Sequence, residues 1–468
     1  MKKNKIYILL GILFIAICLL LLTFYVVEPD YFWHITAGEY MFKNGVLTHD
    51  LFSWVVKGKY WMSHEWLFEV ILYSFKLLFG KYHTIVYCFI TLSSLLSIIF
   101  IYNRKNLTKN IPYMLLYLTL FFILFRSFIQ ARPHMISYSF IALTIWFLYD
   151  LYKNENSKKV YFIPLITILW ANIHGGSSNL SYIFTFMFLF SGLFNIKFKN
   201  IESNKLTKKQ IYKYLLIIVL CIISICINIH GFKMLIYPYE NILDTTMTSN
   251  INEWKPTSFT NLFHYCYYIF LLVVLIFILF SNKKIKLIDC LLLVATAFLG
   301  IRSIRFWLYC PIVMSFVIFD YFDERKLDKY TNLVILILII GIFVGIIFNF
   351  KNISNLNYKL FIDNKLSNIL KTEKPQRLYN MYDYGGELVY HNTPVFIDGR
   401  ADLYSKYSLK DYFDIVGCNS NYEDLIKKYN FDYFLINKNY YIYGCLDEEE
   451  YDVLYDKNDI VLYKKTVK

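Results

Sequence analysis

The stretch from Glu28 to Gly80 gathers Asp30, His34, Glu39, His49, Asp50, His64, Glu65 and Glu69 directly behind a long apolar run. Carboxylates so placed can take a proton from a substrate, and Asp30 and Glu65 are the candidate catalytic acids or bases. His34 and His64 are suited to orienting a substrate, as are His134 and His174 farther on. Together with carboxylates such as Asp30, Asp50 and Glu65, these imidazoles also suggest a divalent cation, Mg or Mn. Such hard ions want oxygen ligands converging from separate segments. Arg126, Arg132, Arg302 and Arg305 carry planar guanidinium forks that fit phosphate oxygens. Their alternative role is anchoring to lipid headgroups, and that of the histidines is interfacial hydrogen bonding.

The elements around these residues are those of a membrane protein. The chain has 468 residues, 57% of them hydrophobic and 20% aromatic, which excludes an ordinary soluble enzyme. The net charge of +13 resides in short Lys and Arg clusters between apolar runs. That placement fits cytoplasmic loops and not a nucleic-acid surface, so no nucleic-acid partner is expected.

Lys2, Lys3 and Lys5 precede an apolar run from Ile6 to Val27, read as an uncleaved anchor with its amino end inside. Further spans are expected near 84–102, 111–128, 133–151, 160–172, 179–195, 211–229, 262–281, 286–300, 303–319 and 331–349, making about eleven. Alternate loops are then basic, provided that the run from His64 to Phe79 does not cross. That run reads instead as an interfacial helix, with Glu65, Glu69 and Lys76 on one face. Tyr31–Phe42 reads as a second, and helical continuation puts Asp30 and His34 on one side.

By this count the polar turns face outward: Arg126 to His134, the paired Asn-Ile-His-Gly segments at 172–175 and 228–231, a loop holding Glu240, Asp244, Glu253 and Trp254, and Arg302 with Arg305. The middles of the spans carry almost no charge. Coupled transport usually needs midplane ionisable groups or broken helices, so chemistry at the outer face is favoured.

The sequence divides into a membrane domain over 1–350, including the outer loop 28–83, and a soluble extracytoplasmic domain over 351–468. Strands are expected at Arg377–Asn380, Val395–Asp398, Phe431–Asn437 and Asp459–Tyr463. Helices are expected at Tyr384–Tyr390, Leu409–Val416, Tyr422–Tyr429 and Glu448–Tyr455, giving a small α/β domain with a mainly parallel sheet. Asp383-Tyr384-Gly385-Gly386-Glu387 and Asp398-Gly399-Arg400-Ala401-Asp402 stand at its turns, where ligands meet such sheets or where glycines simply permit the turn. Asp398 and Arg400 are candidate substrate contacts, with mutual pairing or domain docking as the alternative. Cys418 and Cys445 lie in this polar region and suit a disulfide outside the cytoplasm.

PDYFWHITAGEYMFKNGVLTHDLFSW, SHEWLFEVILY, the paired NIHG segments, YDYGGELVY and VFIDGRADLY together resemble bacterial multispanning proteins similar to the GT-C glycosyltransferase superfamily. The resemblance implies an outer loop after the first span with two interfacial helices and an acidic catalytic residue, matched here by Asp30. It also implies a polyprenyl-phosphate-linked sugar donor, a glycan, lipid or protein acceptor, and a soluble domain on the same side. The superfamily's acidic pair is interrupted, since Pro29 separates Glu28 from Asp30. A noncatalytic glycan-assembly protein of the cell envelope is the second expectation, because fold does not establish chemistry. A transporter or flippase is the third.

Overall fold

A computed structural model describes residues 28–104, 111–321, 360–446 and 450–466, with Ile12, Ala16, Ile17 and Leu20. Most of the first apolar run, the basic segment 322–330 and the span expected at 331–349 lie outside the described residues. Two compact units divide the chain: a helical unit (1–26, 81–238 and 253–357) and a mixed unit (27–80, 239–252 and 358–468). Residues 27–80 thus group with residues 358–468, although the sequence assigns them to the membrane domain.

Four stretches among the described residues are long and apolar enough to cross a bilayer: Trp66–Asn103, His134–Lys153, Lys208–Cys226 and Leu262–Leu279. The first of these is interrupted at Gly80–Tyr82, and its membrane-length part is the 21-residue helix His83–Asn103. Other expected spans form shorter helices, such as Phe162–Ile173 and Leu180–Ser191. The expected span at 303–319 is broken. Ser303 is extended, and only Tyr309–Met314 forms an α-helix between two 3-10 turns.

Polar groups in the helical unit tie helix ends together. Asn228 Nδ2 donates to Asn172 Oδ1 at 3.0 Å and Asn172 Nδ2 donates to the Ile227 carbonyl at 2.9 Å, so the two NIHG segments hold each other. The basic loops pair likewise, through an antiparallel contact of Lys197–Phe198 with Ile201–Glu202 and a parallel contact of the latter with Ile285–Lys286. Both loops therefore stand at the same end of their helices.

The mixed unit begins with α1 (Asp30–Asn44) and α2 (Trp66–Phe79), close to the two interfacial helices read from the sequence. They pack backbone to backbone: a Cβ at Gly38 would stand 2.1 Å from the Glu69 carbonyl oxygen. The absence of that atom lets His34, one turn earlier, lie against the start of α2.

Its sheet consists of β1 (Leu378–Asn380), β2 (Tyr433–Asn437), β3 (Tyr451–Lys457) and β4 (Ile460–Lys465), in the order β1-β2-β4-β3. Only β1 and β2 are parallel, so the expected mainly parallel sheet is instead mixed. The expected helix at Glu448–Tyr455 gives way to β3. Asn458 and Asp459 both adopt positive φ, the backbone of a two-residue hairpin, and this turn folds β3 back on β4. Helices Gly385–Tyr390, Leu409–Val416 and Tyr422–Tyr429 form as expected. Cys418 and Cys445 are joined by a disulfide.

The expected strand Val395–Asp398 does not join the sheet. Phe396 N–H donates to Asn380 Oδ1, and Asn380 Nδ2 donates to the Ile397 carbonyl, so an asparagine side chain takes the place of a neighbouring strand. Val395 bridges to Ser53. Trp54 then docks the loop, donating from Nε1 to the Leu378 carbonyl and packing on Phe396, Tyr429 and Phe431.

Candidate functional site

Asp30 opens α1 directly after Pro29, in a turn where unpaired backbone N–H groups favour a negative charge. Its carboxylate lies in a notch made by glycines. A Cβ at Gly399 would stand 1.7 Å from Asp30 Oδ1 and 2.9 Å from Trp33 Nε1. A Cβ at Gly386 would stand 2.3 Å from the Pro29 carbonyl, and one at Gly385 would stand 2.2 Å from the Ile397 carbonyl. Gly385 is helical, at φ −57° and ψ −42°. These glycines therefore serve close approach between segments and not left-handed turns.

Beside the notch runs a chain of acids and imidazoles. His34 Nδ1 lies 3.3 Å from Glu69 Oε1, and His34 Nε2 lies 3.6 Å from Glu65 Oε2. Glu65 Oε1 is 3.0 Å from His64 Nε2, and His64 Nδ1 is 3.9 Å from Asp402 Oδ2. The inner end is fully enclosed, whereas His64 and Asp402 remain slightly exposed. Burial, together with the nearby Glu65 carboxylate, raises the Glu69 pKa well above the usual carboxylate range. Ser63 donates to Glu69 Oε2 at 3.4 Å.

A second cluster fastens the segment around Asp50 to the DGRAD segment. Arg400 Nη1 donates to Asp50 Oδ1 at 2.6 Å, while its Nε and Nη2 donate to the two oxygens of Asp398 at 2.8 and 2.6 Å. Tyr404 Oη donates to Asp398 Oδ2 at 2.8 Å, and Ser53 N–H donates to Asp50 Oδ2 at 2.9 Å. The guanidinium is also sandwiched by aromatic rings, 4.7 Å from the centre of Trp61 and 5.1 Å from that of Phe52. All three charged side chains are buried. Asp398 and Arg400 thus pair with each other, and Arg400 also bonds Asp50.

The expected cation ligands do not assemble. Asp50 spends its oxygens on Arg400 and backbone N–H groups, and Glu65 faces two imidazoles. Among the described residues no three His, Cys, Asp or Glu side chains form a metal-ligand group. Asp30, Asp50 and Glu65 therefore do not fit a shared Mg or Mn ion in this arrangement.

Nearby, Glu387 accepts from the backbone N–H groups of Phe361 and Ile362 at 3.0 and 2.9 Å. Burial nevertheless pushes its pKa up to about 7. A raised acid pKa favours the folded state most below the unfolded value and loses that contribution as pH climbs through 7. The melting temperature of the mixed unit is expected to fall between pH 5 and pH 8 by the equivalent of about 3 kcal/mol. Glu387→Gln is expected to flatten the slope, and paired thermal melts across that range check it.

The remaining site candidates belong to the helical unit. Glu253 joins Arg132 at 3.2 Å and Arg305 at 2.6 Å, and Arg305 covers the Trp254 ring at 4.8 Å. Although burial opposes it, Arg305 and Arg132 hold the Glu253 carboxyl below the usual range. Two guanidiniums on one carboxylate leave a net positive charge. Arg126 lies over Phe263 at 5.9 Å, and Arg302 is exposed at its helix end. His134 Nε2 lies 3.1 Å from the Phe128 carbonyl, and His174 Nδ1 lies within 2.9 Å of both Ser137 and Ser177. These two histidines thus act as polar fasteners at helix ends.

Sequence reasoning did not single out Trp33, Glu69 or Asp402 as site residues. The spacing Glu65–Glu69, one helical turn, was the available signal for the second; the others depend on the fold.

No protein-family model and no curated protein matches this chain. Solved structures do. The oligosaccharyltransferase of Archaeoglobus fulgidus, tethered to an acceptor peptide containing the NVT sequon, superposes with a TM-score of 0.55 at 11% identity, over 93% of this chain and 70% of that one. The same organism's oligosaccharyltransferase AglB, in complex with an inhibitory peptide and a dolichol-phosphate, gives 0.57 at 10% identity, over 92% and 70%. The apo form gives 0.54. At this identity the likeness is one of fold alone: this chain folds like these oligosaccharyltransferases.

Proposed function

We propose that the chain is a membrane glycosyltransferase that moves a sugar from a polyprenyl-phosphate-type lipid to a glycan, lipid or protein acceptor at the outer face of the membrane. Its amino terminus is cytoplasmic in this reading, and residues 351–468 are extracytoplasmic. The observation that carries it is the lodging of Asp30, a carboxylate at the first turn of α1, in the Gly399 notch beside the His34–Glu65–His64–Asp402 array.

Asp30 accepts the proton of the acceptor group as that group bonds to the sugar's anomeric carbon. The bond to phosphate breaks, and the phosphate oxygen keeps the electron pair. A lipid phosphate is a weak base and needs charge stabilisation more than a proton. Guanidinium forks suit such charge, and Arg126, Arg132, Arg302 and Arg305 remain the candidates read from the sequence. The dolichol-phosphate bound in AglB supports a lipid-phosphate donor by analogy of fold.

The test compares lipid-linked and surface glycans by mass spectrometry in deleted, wild-type and Asp30→Asn cells. One prenyl-linked sugar is expected to accumulate in the deleted and Asp30→Asn cells, with protein abundance unchanged. Wild-type glycans in Asp30→Asn would favour a noncatalytic assembly protein.

A further inference from the structure

Resting on the transferase reading, we propose that the Trp33 indole N–H is a second acceptor contact beside Asp30, and that the two together select a hydroxyl as the accepting group. Trp33 is 4% exposed, and its Nε1 has no hydrogen-bond partner among the described residues. Its ring is held in place by stacking on His34 at 3.6 Å and by the edge of Trp61 at 6.0 Å. An unpaired buried N–H is rare in folded proteins because it forfeits its bond to water without replacement.

The surroundings of this N–H suggest what it awaits. Nε1 and Asp30 Oδ1 are neighbours beside Gly399, 2.9 and 1.7 Å from where its Cβ would stand, and both Asp30 and Gly399 remain partly exposed. One bears a hydrogen to give, and the other accepts. A hydroxyl satisfies both on a single atom, donating its O–H to Asp30 while its lone pair accepts from Trp33. A carboxamide offers donor and acceptor on separate atoms and meets one point poorly. During transfer the hydroxyl proton passes to Asp30, the oxygen bonds to the anomeric carbon, and the phosphate departs with the electron pair. Trp33 keeps its hydrogen and fixes the direction of attack.

Trp33→Phe removes the N–H together with part of the buried ring. In cells carrying the full chain, surface-glycan product is expected to fall at least about tenfold. The purified variant is expected to melt somewhat below wild type, because the smaller ring leaves a cavity, so product is scored per folded protein. A packing role alone would leave product per folded protein unchanged, and that outcome overturns the proposal. Wild-type glycan in Trp33→Phe alongside loss in Asp30→Asn also overturns it and leaves the transferase reading standing. Wild-type glycan in Asp30→Asn overturns the transferase reading itself.

A readout without turnover uses the ¹⁵N-indole resonance of Trp33 in nanodiscs, assigned by its disappearance in Trp33→Phe. Methyl β-glucoside as probe is expected to shift it more than acetamide does. An equal or larger shift with acetamide, or none with the glucoside, overturns hydroxyl selection.

Discussion

Arg400→Met is expected to unfold the mixed unit or prevent its accumulation. The guanidinium is the cation of a cluster in which Asp50 and Asp398 are wholly buried. Removing it leaves two carboxylates facing each other without water, and breaking a buried pair in this way costs roughly 3–5 kcal/mol. That is a large share of the marginal stability of any domain. Protease resistance of residues 360–466 in the full-length protein reads the effect directly. Arg400→Lys is expected to rescue little, since an ammonium is a point charge and cannot bond Asp50 and both oxygens of Asp398 together. Lys438→Met supplies the contrast. Its partner Asp456 is about half exposed, so its loss is expected to change stability by under about 1 kcal/mol. Equal protease sensitivity in Arg400→Met and Lys438→Met would remove the cluster from the account of how loop and sheet are joined.

The same cluster marks what the sequence made visible. Local patterns were readable: the helices at Asp30–Asn44 and Trp66–Phe79, the repeated NIHG segments, and the cysteines that form the disulfide. Asp398 with Arg400 was also visible as a possible pair. The third member, Asp50, lies 350 positions away in the chain, and nothing local announces it. Strand Tyr451–Lys457 was hidden for another reason, since its acids resemble those of a helix. Its hairpin depends on positive φ at Asn458 and Asp459. Val395–Asp398 has strand composition, yet its backbone partners are a side chain, Asn380, and a distant loop. Periodicity can show that a segment pairs, but not with what. The site follows the same division: Asp30 was legible as a residue type at a membrane boundary, while the notch that holds it was not.

Gly399→Ala tests that notch and is expected to abolish transfer about as completely as removing the Asp30 carboxylate. The added methyl would stand 1.7 Å from Asp30 Oδ1, less than any non-bonded contact allows. Something must move. The Gly399 backbone is fixed on one side by Tyr382, whose hydroxyl donates to its carbonyl at 3.1 Å, and on the other by the buried Arg400. The Asp30 side chain, at the partly exposed first turn of α1, is the easier part to displace. Under the transferase proposal a displaced carboxylate would no longer meet the acceptor, and a misplacement of about 1 Å costs on the order of a hundredfold in rate. Stability is expected to change far less than in Arg400→Met, because rotating one partly exposed side chain relieves the clash. Surface-glycan analysis beside a thermal melt separates the two effects. Wild-type glycans in Gly399→Ala would show that Asp30 does its work elsewhere than in this notch, whereas lost glycans with a retained melt tie function to the position of a single carboxylate.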